Sequence, residues 1–202
     1  MIVSSEPAAG TRLGTWRTVD IVVAAVVAAA FGVVFWAWGF VWTASGPAFT
    51  IFPPLQYLIS GVWLMPAVLV PLIVRRPGAA LFAEIVAASA SALLGSVWGL
   101  DTLLSGFVQG AAAELVFAFT LYRLWTLPVA VAAGLAAGVG EWLHDIPLYW
   151  PATAPEFQLA IGIFMLVSGA LIAGLGSWIL VRALAQTGVL QPFAAGRSQR
   201  AV

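Results

Sequence analysis

Apolar residues along this chain fall into six long runs, set apart by short stretches holding charges, Pro or Gly. The runs predict helices over Val19 to Thr43, Pro54 to Ile73, Ala79 to Trp98, Thr102 to Tyr122, Leu124 to Leu143 and Gln158 to Leu184. Each approaches the roughly 20 predominantly apolar residues that one bilayer crossing needs. The expected fold is therefore all-α: a polytopic membrane protein built as a six-transmembrane-helix bundle. The second run is the least regular, because Pro66 and Pro71 remove backbone donors and should kink its inner half. Such kinks persist in bilayers where neighbouring helices satisfy the freed carbonyls.

The intervening stretches set the orientation. With the amino terminus placed inside, Arg12 and Arg17, Arg75 and Arg76, Arg123, and Arg182, Arg197 and Arg200 all fall on one side. Chance would give that alternation about once in 35 arrangements, and it obeys the positive-inside rule. Both termini are thus expected in the cytoplasm (N-in/C-in). Residues 1–18 form a cytosolic N-terminal segment, 19–184 the six-helix membrane domain and 185–202 a cytosolic C-terminal tail. The stretch from Met1 to Trp16 lacks the short apolar core of a cleaved signal peptide.

Composition narrows the chemistry. Of 202 residues, 62% are hydrophobic and 8% charged, against about 25% charged in soluble domains. Net charge is zero, which gives no reason to expect nucleic acid as a partner. Cysteine is absent, excluding disulfides and thiolate ligands. Lysine is absent too, and a P-loop needs its Lys. Any ATP hydrolysis coupled to this chain falls to another subunit.

Aromatic residues gather at the predicted outer ends: Trp36, Trp38, Trp42, Trp98, Trp142, Tyr149 and Trp150. Interfacial anchoring accounts for part of this, but Glu141, His144 and Asp145 sit among the last of them and suggest an outward-facing pocket. Small residues at four-residue spacing, Ala24, Ala28 and Gly32, let helix backbones approach closely. That face could pack internally or dock another membrane subunit.

Two carboxylates, Glu84 and Glu114, fall within predicted spans. A charge at helix centre costs about 2.5–3.5 kcal/mol on the insertion scale, so such groups face a cavity or the bundle interior. Glu114 is expected near mid-depth, with Gln109 closer to the outside on the same helix; five positions turn them about 140° apart. No catalytic constellation emerges. The single histidine, His144, excludes paired-His metal motifs, and its expected place is an outer loop.

Four segments carry a family resemblance: Trp16-Arg-Thr-Val-Asp-Ile21 before an alanine-rich helix, Arg75-Arg-Pro-Gly-Ala-Ala-Leu81 followed by Glu84, Val108-Gln-Gly-Ala-Ala-Ala-Glu114, and Thr187-Gly-Val-Leu190. In order and spacing the chain resembles the substrate-binding S components of energy-coupling factor (ECF) transporters, in particular the YkoE family linked to thiamin or its hydroxymethylpyrimidine (HMP) precursor. The resemblance implies a high-affinity vitamin-binding subunit of an ABC importer in a bacterial inner membrane. Its partners would be a transmembrane coupling subunit, two cytosolic ATPases and lipid, and it would need no cofactor. By the same resemblance Ala24 and Ala28 would contact the coupling subunit. Glu114 is the expected partner of the aminopyrimidine, with Glu84 and Gln109 beside it, and Trp36, Trp38, Tyr57 and Trp142 offer faces to a thiazolium, worth about 2 kcal/mol or more when desolvated. Glu141, His144, Asp145 and Tyr149 would line the entrance. The competing expectation is a proton-coupled secondary transporter in which Glu84 and Glu114 relay protons.

Overall fold

The apolar runs become helices whose ends fall at Pro, Gly or charged residues. A computed structural model describes residues 15–197. Helix α1 covers Thr18–Ser45, α2 Pro66–Val74, α3 Ala79–Leu93, α4 Asp101–Phe119 and α5 Leu127–Tyr149. Helix α6 covers Pro155–Gln186, and a short α7 covers Ala194–Arg197. The described residues contain no strand. The lead-in expected over residues 1–14, with Arg12, and the tail beyond 197, with Arg200, lie outside the described residues.

Five segments are long and apolar enough to cross a membrane: Thr18–Phe49, Pro53–Val74, Asp101–Phe119, Leu127–Tyr149 and Pro155–Gln186. Helix α3 is apolar but has only 15 residues, about 22 Å. Its expected extension to Trp98 is cut short at Leu94. There Gly95 takes φ 88° and the N–H of Ser96 reaches back to the carbonyl of Ser91, a Schellman ending that closes the helix. The residues that follow form a loop.

The second run is broken, not merely kinked. Pro53–Val62 winds as a 3₁₀ helix, Trp63 to Met65 turn, and Pro66 starts α2 at the position where its missing N–H costs nothing. Ten residues of 3₁₀ helix are unusual. The segment is held by Ser168, whose Oγ donates to the carbonyl of Leu58 at 2.7 Å and accepts from the N–H of Gly61 at 2.8 Å. All nine residues of α2 are buried, as expected of a helix that is apolar on every side.

Glycine sets the closest helix approach. A Cβ at Gly134 of α5 would lie 2.2 Å from the carbonyl oxygen of Gly169, where α6 opens into a π-helical stretch over Gly169–Gly176. Helix α1 packs on α3, with Gly32 against Ala87 and Ala90. This corrects the expectation for Ala24 and Ala28: both are fully buried within the chain, and it is Ala29 and Ala30 that face outward. After α6 the chain does not trail away, since Leu190 and Phe193 join the core beside α2.

The arginine-bearing end is tied by charge. Asp20 is buried and accepts from Arg17 Nη2 at 2.6 Å and from Arg76 Nε at 2.8 Å, while Arg17 also donates to the carbonyl of Pro192 at 3.3 Å. The Asp20 carboxyl holds the Arg17 guanidinium in its charged form, raising its pKa. This cluster joins α1, the α2–α3 turn and the C-terminal segment.

Candidate ligand-binding site

Opposite the arginines, the ends of α4 and α5, the 3₁₀ segment and the α3–α4 loop converge on a cavity of about 210 Å³. Its aromatic wall follows from the breaks just described. The 3₁₀ segment turns Tyr57 inward, the turn before α2 adds Trp63, and the loop after α3 adds Trp98. Trp42 of α1 meets Tyr57 edge-on at 5.1 Å and Trp63 at 5.3 Å, and Trp63 meets Trp98 at 5.1 Å. Trp150 closes the series by donating its indole N–H to the Tyr57 hydroxyl at 2.6 Å. Edge-to-face pairs add about 0.5–1.5 kcal/mol each beyond their buried area, so the wall is preformed.

The polar wall comes from α5. Glu141, His144 and Asp145 lie within two turns of that helix and all line the cavity. His144 was expected in a loop, but α5 continues past Leu143 to Tyr149, and the ring is buried between two carboxyls. Nδ1 lies 2.9 Å from Asp145 Oδ1 and Nε2 lies 3.2 Å from Asp101 Oδ1. Asp101, the first residue of α4, also accepts from the Tyr149 hydroxyl at 2.5 Å. Glu141 is 5% exposed, and its Oε2 has no hydrogen-bond partner among the described residues. A buried acceptor left unpaired costs about 1–3 kcal/mol or more, and Glu84 Oε2, which is not on the lining, is unpaired in the same way. On the α4 side Gln109 donates to Ser105 Oγ at 2.6 Å, both on the cavity lining.

Of the residues expected from sequence, Tyr57, Gln109, Glu141, His144, Asp145 and Tyr149 therefore come together around one cavity. The others do not. Trp36 packs edge-on against Phe40. Trp38 donates to the carbonyl of Ile59 and Trp142 to that of Gln158, so both serve as struts between segments. Glu84 is wholly buried behind the lining, its Oε1 accepting from the N–H of Ala67 at 2.9 Å.

Glu114 departs furthest from expectation. It lies thirteen residues below Asp101 on α4, about 20 Å along the helix, towards the arginine end. There its carboxyl accepts from the N–H groups of Gly78 at 2.5 Å and Ala80 at 2.8 Å, capping α3. Tyr122 lies beside it, and burial together with the Glu114 carboxyl pushes that phenol up to about 12. Carboxyls at a helix N-terminus are favoured by its unpaired donors and dipole. Asp101, Trp63 and the serines at 91, 96 and 105 are site residues that sequence reading missed. Asp101 alone carried a signal: a carboxyl at an outer helix start, level with the acids that end α5.

Comparison with known proteins agrees with this architecture. Residues 19–140 match the family described as "ABC-type cobalt transport system, permease component". A protein of Bacillus subtilis (strain 168), named as an HMP/thiamine permease protein, YkoE, is 35% identical over 186 residues, covering 91% of this chain and 92% of that one. A crystal structure described as an S-component of an ECF transporter superposes with a TM-score of 0.84 at 34% identity, covering 92% of this chain and 94% of the other. A family match over more than half of the chain, and a relative this similar along nearly all of it, show that the chain belongs to the S components of ECF transporters, in the family of YkoE.

Proposed function

We propose that this chain captures thiamin or its HMP precursor in the acid–aromatic cavity and delivers it to a coupling subunit driven by two ATPases. The observation that carries the reading is the Glu141 carboxyl, buried on the lining of a cavity walled by aromatic faces. An aminopyrimidine offers an amine donor and a ring nitrogen that together match one carboxyl in a short two-point contact. A thiazolium is a cation that Trp and Tyr faces attract. Glu141 thus takes the role that sequence alone suggested for Glu114. Tyr57, Gln109, Asp145 and Tyr149 complete the proposed ligand shell, with His144 positioned by its two carboxyl neighbours.

The arginine pattern supports placing the cavity outside and both termini inside, with α3 and its loop making the sixth crossing. On that reading residues 19–184 form the membrane domain of a bacterial inner-membrane protein. Two other readings fare worse. Glu114 is engaged by backbone donors, so a Glu84–Glu114 proton relay lacks its second member. Metal capture lacks a cage, since no group of three or more His, Cys, Asp or Glu among the described residues is placed to hold an ion.

Purified chain titrated calorimetrically with thiamin and with HMP is expected to bind at least one of them with a single site. Absence of heat for both, in protein that remains folded and monodisperse, would overturn the vitamin reading.

A further inference from the structure

The cavity is as informative for the groups it lacks as for those it has. A phosphate monoester carries about −1.5 to −2 charge near neutral pH and presents acceptor oxygens only. Proteins meet it with guanidinium, ammonium or free backbone donors. This chain contains no lysine. The described arginines Arg17, Arg75, Arg76, Arg123, Arg182 and Arg197 all stand at the opposite helix ends. His144 is the single basic side chain on the lining, and both its ring nitrogens already face carboxyls.

The acids, by contrast, are concentrated. Asp101 and Asp145 flank His144 near the ends of α4 and α5, and Glu141 lies one turn further along α5. The neutral amides of the lining are engaged as well: Gln56 donates to the carbonyl of Trp42 at 2.7 Å and Gln109 donates to Ser105. Aromatic faces carry negative charge density, so the remaining wall attracts cations and disfavours anions.

We infer that Asp101 and Asp145 are specificity-determining: they restrict the cavity to unphosphorylated cationic or neutral heteroaromatics and reject phosphate esters of the same compounds. The inference rests on the vitamin reading above and adds a discrimination to it. A wall that both lacks counter-charge and presents like charge is selective against one ligand form without gaining contacts to the other. It also sets a place in a reaction sequence. Hydrolysis of a phosphate ester must precede capture wherever the ester is the available form, and phosphoryl transfer after delivery yields a form the cavity does not take back.

The test is calorimetric titration of the purified full chain with thiamin, HMP and thiamin monophosphate. The ester is expected to bind about a hundredfold more weakly than thiamin, the scale that like-charge juxtaposition produces. Thr102→Lys, which adds an ammonium on the lining beside Asp101, is expected to recover ester binding by about tenfold. Ester affinity within about threefold of thiamin in the unaltered chain would overturn the inference while leaving the vitamin reading intact. Failure of thiamin and HMP alike to bind would overturn both. Should the lysine variant not fold, the comparison in the unaltered chain decides alone.

Discussion

Glu141→Gln is expected to weaken thiamin or HMP binding by roughly 30- to 1,000-fold, the range for losing one partner of a buried charged hydrogen bond. The amide keeps the shape of the side chain and one acceptor, but it replaces the second acceptor with an N–H₂ that confronts the ligand's amine. Glu114→Gln is the matched control. Its carboxyl caps α3 through Gly78 and Ala80 at the far end of α4, so vitamin affinity should stay within about threefold, with a loss of about 1 kcal/mol of stability of the kind that follows damage to a helix cap. The reverse pattern, affinity lost in the Glu114 variant and kept in the Glu141 variant, would return the site to mid-bundle.

Asp20→Asn should give the largest loss of stability of any single polar change. The Asp20 side chain has no exposure and joins Arg17 and Arg76. Removing one member of a buried pair costs about 3–5 kcal/mol. Here the Arg17 side chain is 42% exposed, and solvent screening brings the expected cost to about 2 kcal/mol. That corresponds to a melting shift of about 4–8 °C for a chain of this size. Arg17→Ala should shift the melt far less, because Arg76 remains to compensate Asp20. Equal melts for Asp20→Asn and the unaltered chain would remove the cluster from the account of stability.

The helices were legible because a bilayer imposes length and apolarity on each crossing, and α1, α4 and α6 follow the apolar runs closely. What escaped was decided by partners distant in sequence. Pro66 announced a break, but nothing local announced that Ser168, over a hundred positions away, would hold the preceding residues as a 3₁₀ helix. His144 and Asp145, beyond the helix expected to end at Leu143, read as an outer loop. Helix α5 runs on through them because Asp101 and Asp145 satisfy the imidazole inside the cavity. Burial cost identified Glu84 and Glu114 as carboxyls that must find donors, and backbone N–H groups of neighbouring helices supply them, two to the Glu114 carboxyl and one to Glu84 Oε1, while Glu84 Oε2 stays unpaired among the described residues. The buried acid on the cavity lining was the third one, Glu141, whose rotation on α5 no sequence pattern fixes. Ala24 and Ala28 were legible as a packing face, and both are buried within the bundle on the helix that packs against α3.

The absence of cysteine makes one measurement direct. Ser96 lies on the cavity lining in the loop after α3, and Ser96→Cys would place a single thiol there. In intact cells a membrane-impermeant maleimide is expected to label that thiol from outside, and thiamin or HMP should slow the labelling. Labelling that requires access from the cytoplasmic side, or that proceeds at an unchanged rate under saturating vitamin, would contradict an outward-facing vitamin site in this cavity.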